Sequence, residues 1–204
     1  MAAGTAIEAP KLYTYDDYLK IDDGHRYELI EGELVLTPSP GTLHQFVVGN
    51  IFKILDEYAR RSGAGKVLFA PVDVVLDEPA KHNVFQPDVI FISQEREGII
   101  EEGRVNGAPD LVVEVLSAGT IRRDRGKKSR QYFKSGVREY WLVDPQERLV
   151  EIFVPGEKDW QRAGVYEEGD EESISSTVLP GLGARAKDIF LTARARVPSC
   201  RRQG

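Results

Sequence analysis

The sequence predicts an α/β (α+β) domain, a mixed central β-sheet flanked by helices, with an extra N-terminal hairpin and further strands near the C-terminus. Three observations carry this. Leu111–Leu116 is a short, nearly unbroken apolar run, as expected of a strand covered on both faces. Thr42–Arg61 and Asp124–Ser135 show helical spacing followed by glycine stops. Further short apolar runs separated by polar turns fall before, between and after these helices. A sheet with a helix on each side buries all of these faces at once.

Taken in order, residues 1–12 read as a flexible tail. Thr14 caps a short helix through Leu19, with Asp17 completing a capping box. Arg26–Ile30 and Glu33–Thr37 form a hairpin about Glu31-Gly32, and Pro38-Ser39-Pro40-Gly41 breaks the chain. Thr42 and Gln45 make a second capping box at the head of the long helix, and Gly63 ends it. Val48, Ile51, Leu55 and Tyr58 mark its buried stripe, and His44, one turn before Val48, points inward. Lys66–Leu76 and Val84–Ser93 read as two strands joined by the polar loop Asp77–Asn83. Gln94–Ala108 reads as an exposed loop with a short helix in it. The central strand follows, then the helix Asp124–Ser135 with Gly136-Val137 past its end. Glu139–Val143 and Leu149–Val154 are strands about a turn at Asp144–Glu147. Gln161–Tyr166 and Ile174–Val178 are weaker strand candidates. Leu179–Gly183 turns toward Ile189-Phe190, and residues 191–204 read as a second flexible tail. No repeat or linker divides residues 13–190, which make one domain.

A chain of 204 residues, 41% hydrophobic and 29% charged, suffices for one domain with its own core. No stretch approaches the roughly 20 apolar residues that cross a bilayer, and Met1–Pro10 lacks the features of a signal peptide. With one cysteine, Cys200, no internal disulfide can form, so a cytoplasmic location without a membrane partner is the default. The net charge of −6 argues against a protein that coats nucleic acid. It leaves room for a nuclease, which needs positive charge only near its site. Ile121–Arg130 holds six basic residues and one acid.

Glu114 interrupts the central apolar strand, and an acid there is costly unless paired, protonated or bound to a cation. Asp88 stands at the mouth of another strand. Mg²⁺ takes one or two carboxylates and keeps several waters, a demand that these two acids meet if their strands are neighbours; such an ion supplies much of what phosphodiester hydrolysis needs. Asp124, Lys128 and Tyr132 share one helical stripe, so Lys128 is the candidate for stabilising the transition state or orienting water. Arg122, Arg123, Arg125 and Lys127 oppose the helix dipole at its first turns, which an anionic partner would explain. Each has a plainer reading. Glu114 and Lys128 fit a buried ion pair, Asp88 a turn closure after proline, His44 a hydrogen-bonded core residue, and the basic cluster a solvated face.

The run GAPDLVVEVLS, with Asp124, Lys128, Tyr132, Gly136-Val137 and Glu139-Tyr140-Trp141-Leu142-Val143-Asp144-Pro145, resembles the Uma2 family of restriction-endonuclease-like proteins. Tyr27–Gly32, His44, Gln86-Pro87-Asp88 and Leu179–Leu182 fit the same pattern, so the likeness spans roughly Tyr13 to Phe190. The resemblance implies a PD-(D/E)XK nuclease fold with a Mg²⁺ site, Mn²⁺ serving as a substitute. Asp88 then matches the aspartate of the motif and Glu114 its second acid. Leu116 stands where the superfamily has its lysine, and Lys128 from the next helix is the replacement. Glu28 and His44 match positions that support the pocket.

The first functional reading is a Mg²⁺-dependent endonuclease acting on DNA, as a homodimer. The alternative is a non-catalytic module that keeps the nuclease fold to bind nucleic acid or protein. A third is a structural oligomer in which Glu114 simply pairs with Lys128.

Overall fold

The computed structural model describes residues 11–76, 81–117, 119 and 121–191, so both terminal tails, apart from residues 11, 12 and 191, and part of the expected loop after Leu76 lie outside the described residues. Helix α1 (Tyr15–Tyr18) opens with the expected capping box: the Asp17 N–H donates to the Thr14 hydroxyl, and the Asp17 carboxylate accepts from the Thr14 N–H. Strands β1 (Tyr27–Ile30) and β2 (Glu33–Leu36) form the antiparallel hairpin. Glu31 and Gly32 at its tip both adopt positive φ, as a tight two-residue turn requires. Helix α2 (Thr42–Ser62) buries Val48, Ile51, Leu55 and Tyr58 as its spacing predicts. Its N-cap is Gly41, with no side-chain cap. Thr42 is already inside the helix, so the expected Thr42/Gln45 capping box does not form. Gly63, at φ 68°, closes the other end.

The next two expected strands each break in two. Lys66–Leu76 becomes β3 (Gly65–Phe69) and β4 (Asp73–Val75); Val84–Ser93 becomes β5 (Val84–Phe85) and β6 (Val89–Ser93). Pro71 and Pro87 sit at the breaks, where a missing N–H interrupts a ladder without loss. β3 pairs with β6, whereas β4 pairs with β5 in another sheet. Within these two stretches the chain thus passes from one sheet to the other, at 70–72 and again at 86–88.

The expected loop after Ser93 holds a 3₁₀ helix (Gln94–Ile99) and a small hairpin, β7 (Ile100–Glu101) and β8 (Arg104–Asn106). Strand β9 (Leu111–Val115) is buried throughout. The following helix has three parts: α3 (Ile121–Arg123), a π-helical turn (Asp124–Lys128) and α4 (Ser129–Lys134). Strands β10 (Glu139–Asp144), β11 (Leu149–Pro155) and β12 (Trp160–Glu167) then form a meander, and α5 (Ala186–Ile189) is the last element described. Ile174–Val178 is no strand. The Glu139 carboxylate accepts from the N–H groups of Thr177 and Val178 and from the Thr177 hydroxyl, so that backbone is satisfied without a ladder.

Both sheets are mixed. One runs β2-β1-β5-β4-β8-β7 and the other β12-β11-β10-β9-β6-β3, with β9 and β10 parallel at its centre. Residues alternate across β9: Leu111, Val113 and Val115 join the core under α2, while Val112 and Leu116 join the core shared with the other sheet and Tyr132. Glu114 falls in the second set by the same alternation. No helix among the described residues is long and apolar enough to cross a membrane.

Candidate active site

The crossing at Gln86-Pro87-Asp88 places Asp88 at the end of β6. Val89 lies opposite Val113 and Ile90 opposite Val112, so one more step of that register sets Asp88 opposite Glu114. The Val115 N–H donates to Asp88 Oδ2 at 2.7 Å, and His44 Nε2, from the first turn of α2, lies 3.3 Å from the same oxygen. His44, Asp88 and Glu114 line one cleft of about 310 Å³ together with Glu28, Asp124, Lys128 and Arg123.

Behind that cleft, Lys128 is the hub. Its ammonium is 2.6 Å from Glu114 Oε1, 2.8 Å from Glu28 Oε1 and 3.8 Å from Asp124 Oδ1. The Tyr132 hydroxyl donates to Glu114 Oε1 at 2.6 Å, and Glu28 Oε1 also accepts the Gln86 N–H at 2.9 Å. Arg123 Nη1 lies 3.8 Å from Glu28 Oε2. The stripe Asp124, Lys128, Tyr132 is buried as its spacing predicts, and Tyr132 stands behind Glu114.

Charge is out of balance. Burial pushes the Glu114 carboxyl well above the usual carboxylate range; Asp124, Asp88 and Glu28 add to the shift, and Lys128 only partly opposes it. Burial also disfavours the Glu28 carboxylate, but Lys128, the Gln86 N–H and Arg123 overcome this and lower its pKa. For Lys128, burial disfavours the ammonium, yet Glu114, Glu28 and Asp124 outweigh it and raise its pKa. His44 is likewise raised, the loss of solvation being overcome by the hydrogen bond to Asp88. Burial, then Glu114, holds the Tyr132 phenol protonated.

Other buried acids are fully engaged elsewhere. Asp110 accepts from the Ser93 N–H, Arg96 and Arg138, and Glu139 from Trp141 and the 177–178 backbone. By contrast, four buried polar atoms without a hydrogen-bond partner, Thr37 Oγ1, His44 Nδ1, Gln86 Oε1 and Arg123 Nε, belong to residues that line the cleft. Buried polar atoms are ordinarily paired, so the wall of this cleft is polar and incompletely satisfied.

Among the described residues, no group of three or more His, Cys, Asp or Glu side chains forms a ready metal cage. A two-carboxylate site for a hard cation is still compatible with the donors present. Asp88 and Glu114 offer oxygen, and the surplus of negative charge around Glu114 is what a divalent ion would offset. The direct contact of Glu114 with Lys128 is also the mark expected of a plain ion pair, although here Glu114 has a cleft beside it.

The basic cluster is divided. Arg123 lines the cleft, Arg122 is exposed and does not line it, Arg125 pairs with Glu151, and Lys127 pairs with Glu33 at 2.9 Å and Glu31 at 3.6 Å. Sequence reasoning missed Arg26, Thr37 and Gln86 as cleft residues. Gln86 had a signal in its place beside Pro87-Asp88, but Arg26 and Thr37 flank the hairpin and reach the cleft only through the packing of the two sheets.

A family profile described as "Uma2: Putative restriction endonuclease" matches residues 14–189. None of the curated proteins matches the chain. Among solved structures, one from Anabaena variabilis, described as "a putative nuclease belonging to DUF820", superposes with a TM-score of 0.71 at 21% identity, covering 87% of this chain and 97% of that one. At that identity the likeness speaks for the fold.

Proposed function

The chain belongs to the Uma2 family, and from that premise we propose that the cleft is the active site of a Mg²⁺-dependent endonuclease that hydrolyses DNA. The observation that carries this reading is Glu114: a desolvated acid, flanked by Asp88 and held by a cationic lysine, at the wall of a polar cleft. Asp88 and Glu114 would hold Mg²⁺ or Mn²⁺, which when bound polarises the phosphate and lowers the pKa of a water.

The chain's own residues do the rest. Lys128 stays protonated, so it serves as a fixed positive charge and not as a base; it orients Glu114 and favours the charge that develops on the phosphate. Tyr132 donates to Glu114 and Glu28 anchors Lys128, so both set geometry from behind. Asp124 adds to the field that keeps Lys128 charged, and His44 steadies Asp88. Arg123 faces the cleft and suits a phosphate oxygen. Arg122 is placed to meet flanking phosphate. Arg125 and Lys127 would do so only by leaving their glutamates. Cutting both strands of a duplex calls for two such clefts, which a homodimer supplies.

The direct Glu114–Lys128 contact favours one other reading, a binding module that has kept the fold without catalysis. Nicking of supercoiled plasmid in Mg²⁺ or Mn²⁺ separates the two. The nuclease reading expects cleavage that stops in EDTA and falls by about 100-fold or more in Asp88→Asn and Glu114→Gln, with calorimetry showing metal affinity lost in both and largely kept in Lys128→Ala. Metal binding without cleavage of DNA or RNA, and DNA binding that persists in EDTA and in Glu114→Gln, would establish the module instead.

A further inference from the structure

We propose that the side-chain carbonyl of Gln86 is the acceptor that orients the attacking water in the cleft; this rests on the nuclease reading. Gln86 sits at the crossing between β5 and β6, two residues before Asp88, and its backbone N–H donates to Glu28 at 2.9 Å. Its amide nitrogen donates to Asp73 Oδ1 at 2.9 Å and to the Tyr18 hydroxyl at 3.2 Å, while that hydroxyl donates to Asp73 Oδ1 at 3.1 Å. An ionised carboxylate only accepts, so Asp73 fixes which end of the amide faces it. Burial and Asp73 hold the Tyr18 phenol protonated, which keeps the ring of three hydrogen bonds closed.

Oε1 is therefore turned away from Asp73. Asp73 lines a neighbouring depression and is no part of the cleft wall, whereas Gln86 lines both. Gln86 is thus the member of that ring that reaches the cleft with Asp88 and Glu114, and its carbonyl oxygen is buried with no partner in the protein. A fixed, bare acceptor wants a donor. A phosphodiester has none at the scissile bond, and neither does the deoxyribose on either side of it. The water that attacks phosphorus has two O–H groups. One donates to the Gln86 carbonyl and stays on the water oxygen; that oxygen bonds to phosphorus as the bond from phosphorus to the ester oxygen breaks, the other proton leaves to solvent, and the departing ester oxygen takes one up. The products are a phosphate monoester and an alcohol. An amide cannot serve as the base, so its contribution is direction.

The test is Gln86→Met, which keeps length and packing but removes the acceptor, measured in Mn²⁺ beside the wild type. The expected result is a fall in kcat of about 10- to 100-fold, the scale of a misaligned reactant, with KM and the calorimetric Mn²⁺ affinity within about twofold. Crystals with Mn²⁺ should show an ordered water on Gln86 Oε1 that is gone in the methionine variant. Asp73→Asn, which lets the amide invert, should lower kcat less and in the same way, and it keeps the idea open to refutation if Gln86→Met does not fold. Wild-type kcat in these variants, a loss confined to KM, or crystals without that water would overturn it. A wild type that binds Mn²⁺ and cleaves nothing removes the nuclease reading itself; a cleaving wild type with an equally active Gln86→Met removes this inference alone.

Discussion

A carboxyl group that is protonated more readily in the folded chain than in the unfolded one stabilises the fold most at low pH and weakens it as pH rises through its folded pKa. Glu114 is such a group, because burial and three neighbouring acids raise its pKa. Glu28 runs the other way: its lowered pKa gives stability that is present above the unfolded value and lost as pH falls through the folded one. Glu114→Gln should therefore raise the Tm of the metal-free protein at pH 8, since an amide oxygen still accepts from Lys128 and Tyr132 without the buried charge. The gain should vanish below about pH 4.3, where the unfolded carboxyl is also protonated. Adding Mn²⁺ should raise the wild-type Tm and leave the variant unmoved; an equal rise in both would remove Glu114 as a ligand. Lys128→Met should cost about 3–5 kcal/mol at neutral pH because it strands the acids around it. Urea unfolding at pH 7 and pH 5 should show that cost shrinking in acid, as Glu28 takes up a proton once its ammonium is gone.

Lys128, which contacts the acids, ends a π turn at Asp124–Lys128 within the helix over 121–134, a feature common at functional sites. Gly126 lies in that turn, and a Cβ there would meet no atom within 4 Å. Gly126→Ala should thus stabilise the protein by about 0.5–1 kcal/mol, read as a higher urea midpoint with cleavage unchanged; destabilisation would mean that the turn needs the freedom of glycine. The stripe through Lys128, the buried face of α2, the first hairpin and the central strand were legible in the sequence because short-range periodicity and turn residues decide them. Glu28 had the same signal as Glu114, an acid inside an apolar strand, yet it was reached only through the family resemblance. The crossings at 70–72 and 86–88 were hidden. Apolar alternation runs on through Pro71 and Pro87, and nothing local says that residues before and after a proline join different sheets. Since Asp88 and Gln86 owe their positions to a crossing, the geometry of the site was hidden with it.

For the whole molecule the nuclease reading raises the question of how an acidic protein would hold DNA. With a net charge of −6, affinity has to come from a few well-placed cations. The basic run after β9 supplies fewer of these than its sequence suggests, because Arg125 and Lys127 are paired with Glu151, Glu31 and Glu33. Arg26 and Arg123 line the cleft, and Arg122, next to Arg123 in the chain, is exposed. Each phosphate neutralised contributes about −0.9 to the slope of log K against log salt, so three contacts predict a slope of about −3, whereas engagement of the whole run would push it beyond about −5. Titrating duplex DNA with Asp88→Asn in Ca²⁺ across 50 to 200 mM salt, roughly the range over which such slopes are resolved, distinguishes them. Glu151→Gln and the double variant Glu31→Gln/Glu33→Gln should then tighten binding and steepen the slope by about one each, since the first frees Arg125 and the second Lys127. If the wild-type slope is already steep and these variants leave it unchanged, the glutamates release their partners when DNA arrives. In that case the pairs seen here act as a latch over the nucleic-acid path, and the acidity of the protein sets selectivity against weakly bound DNA more than it limits affinity.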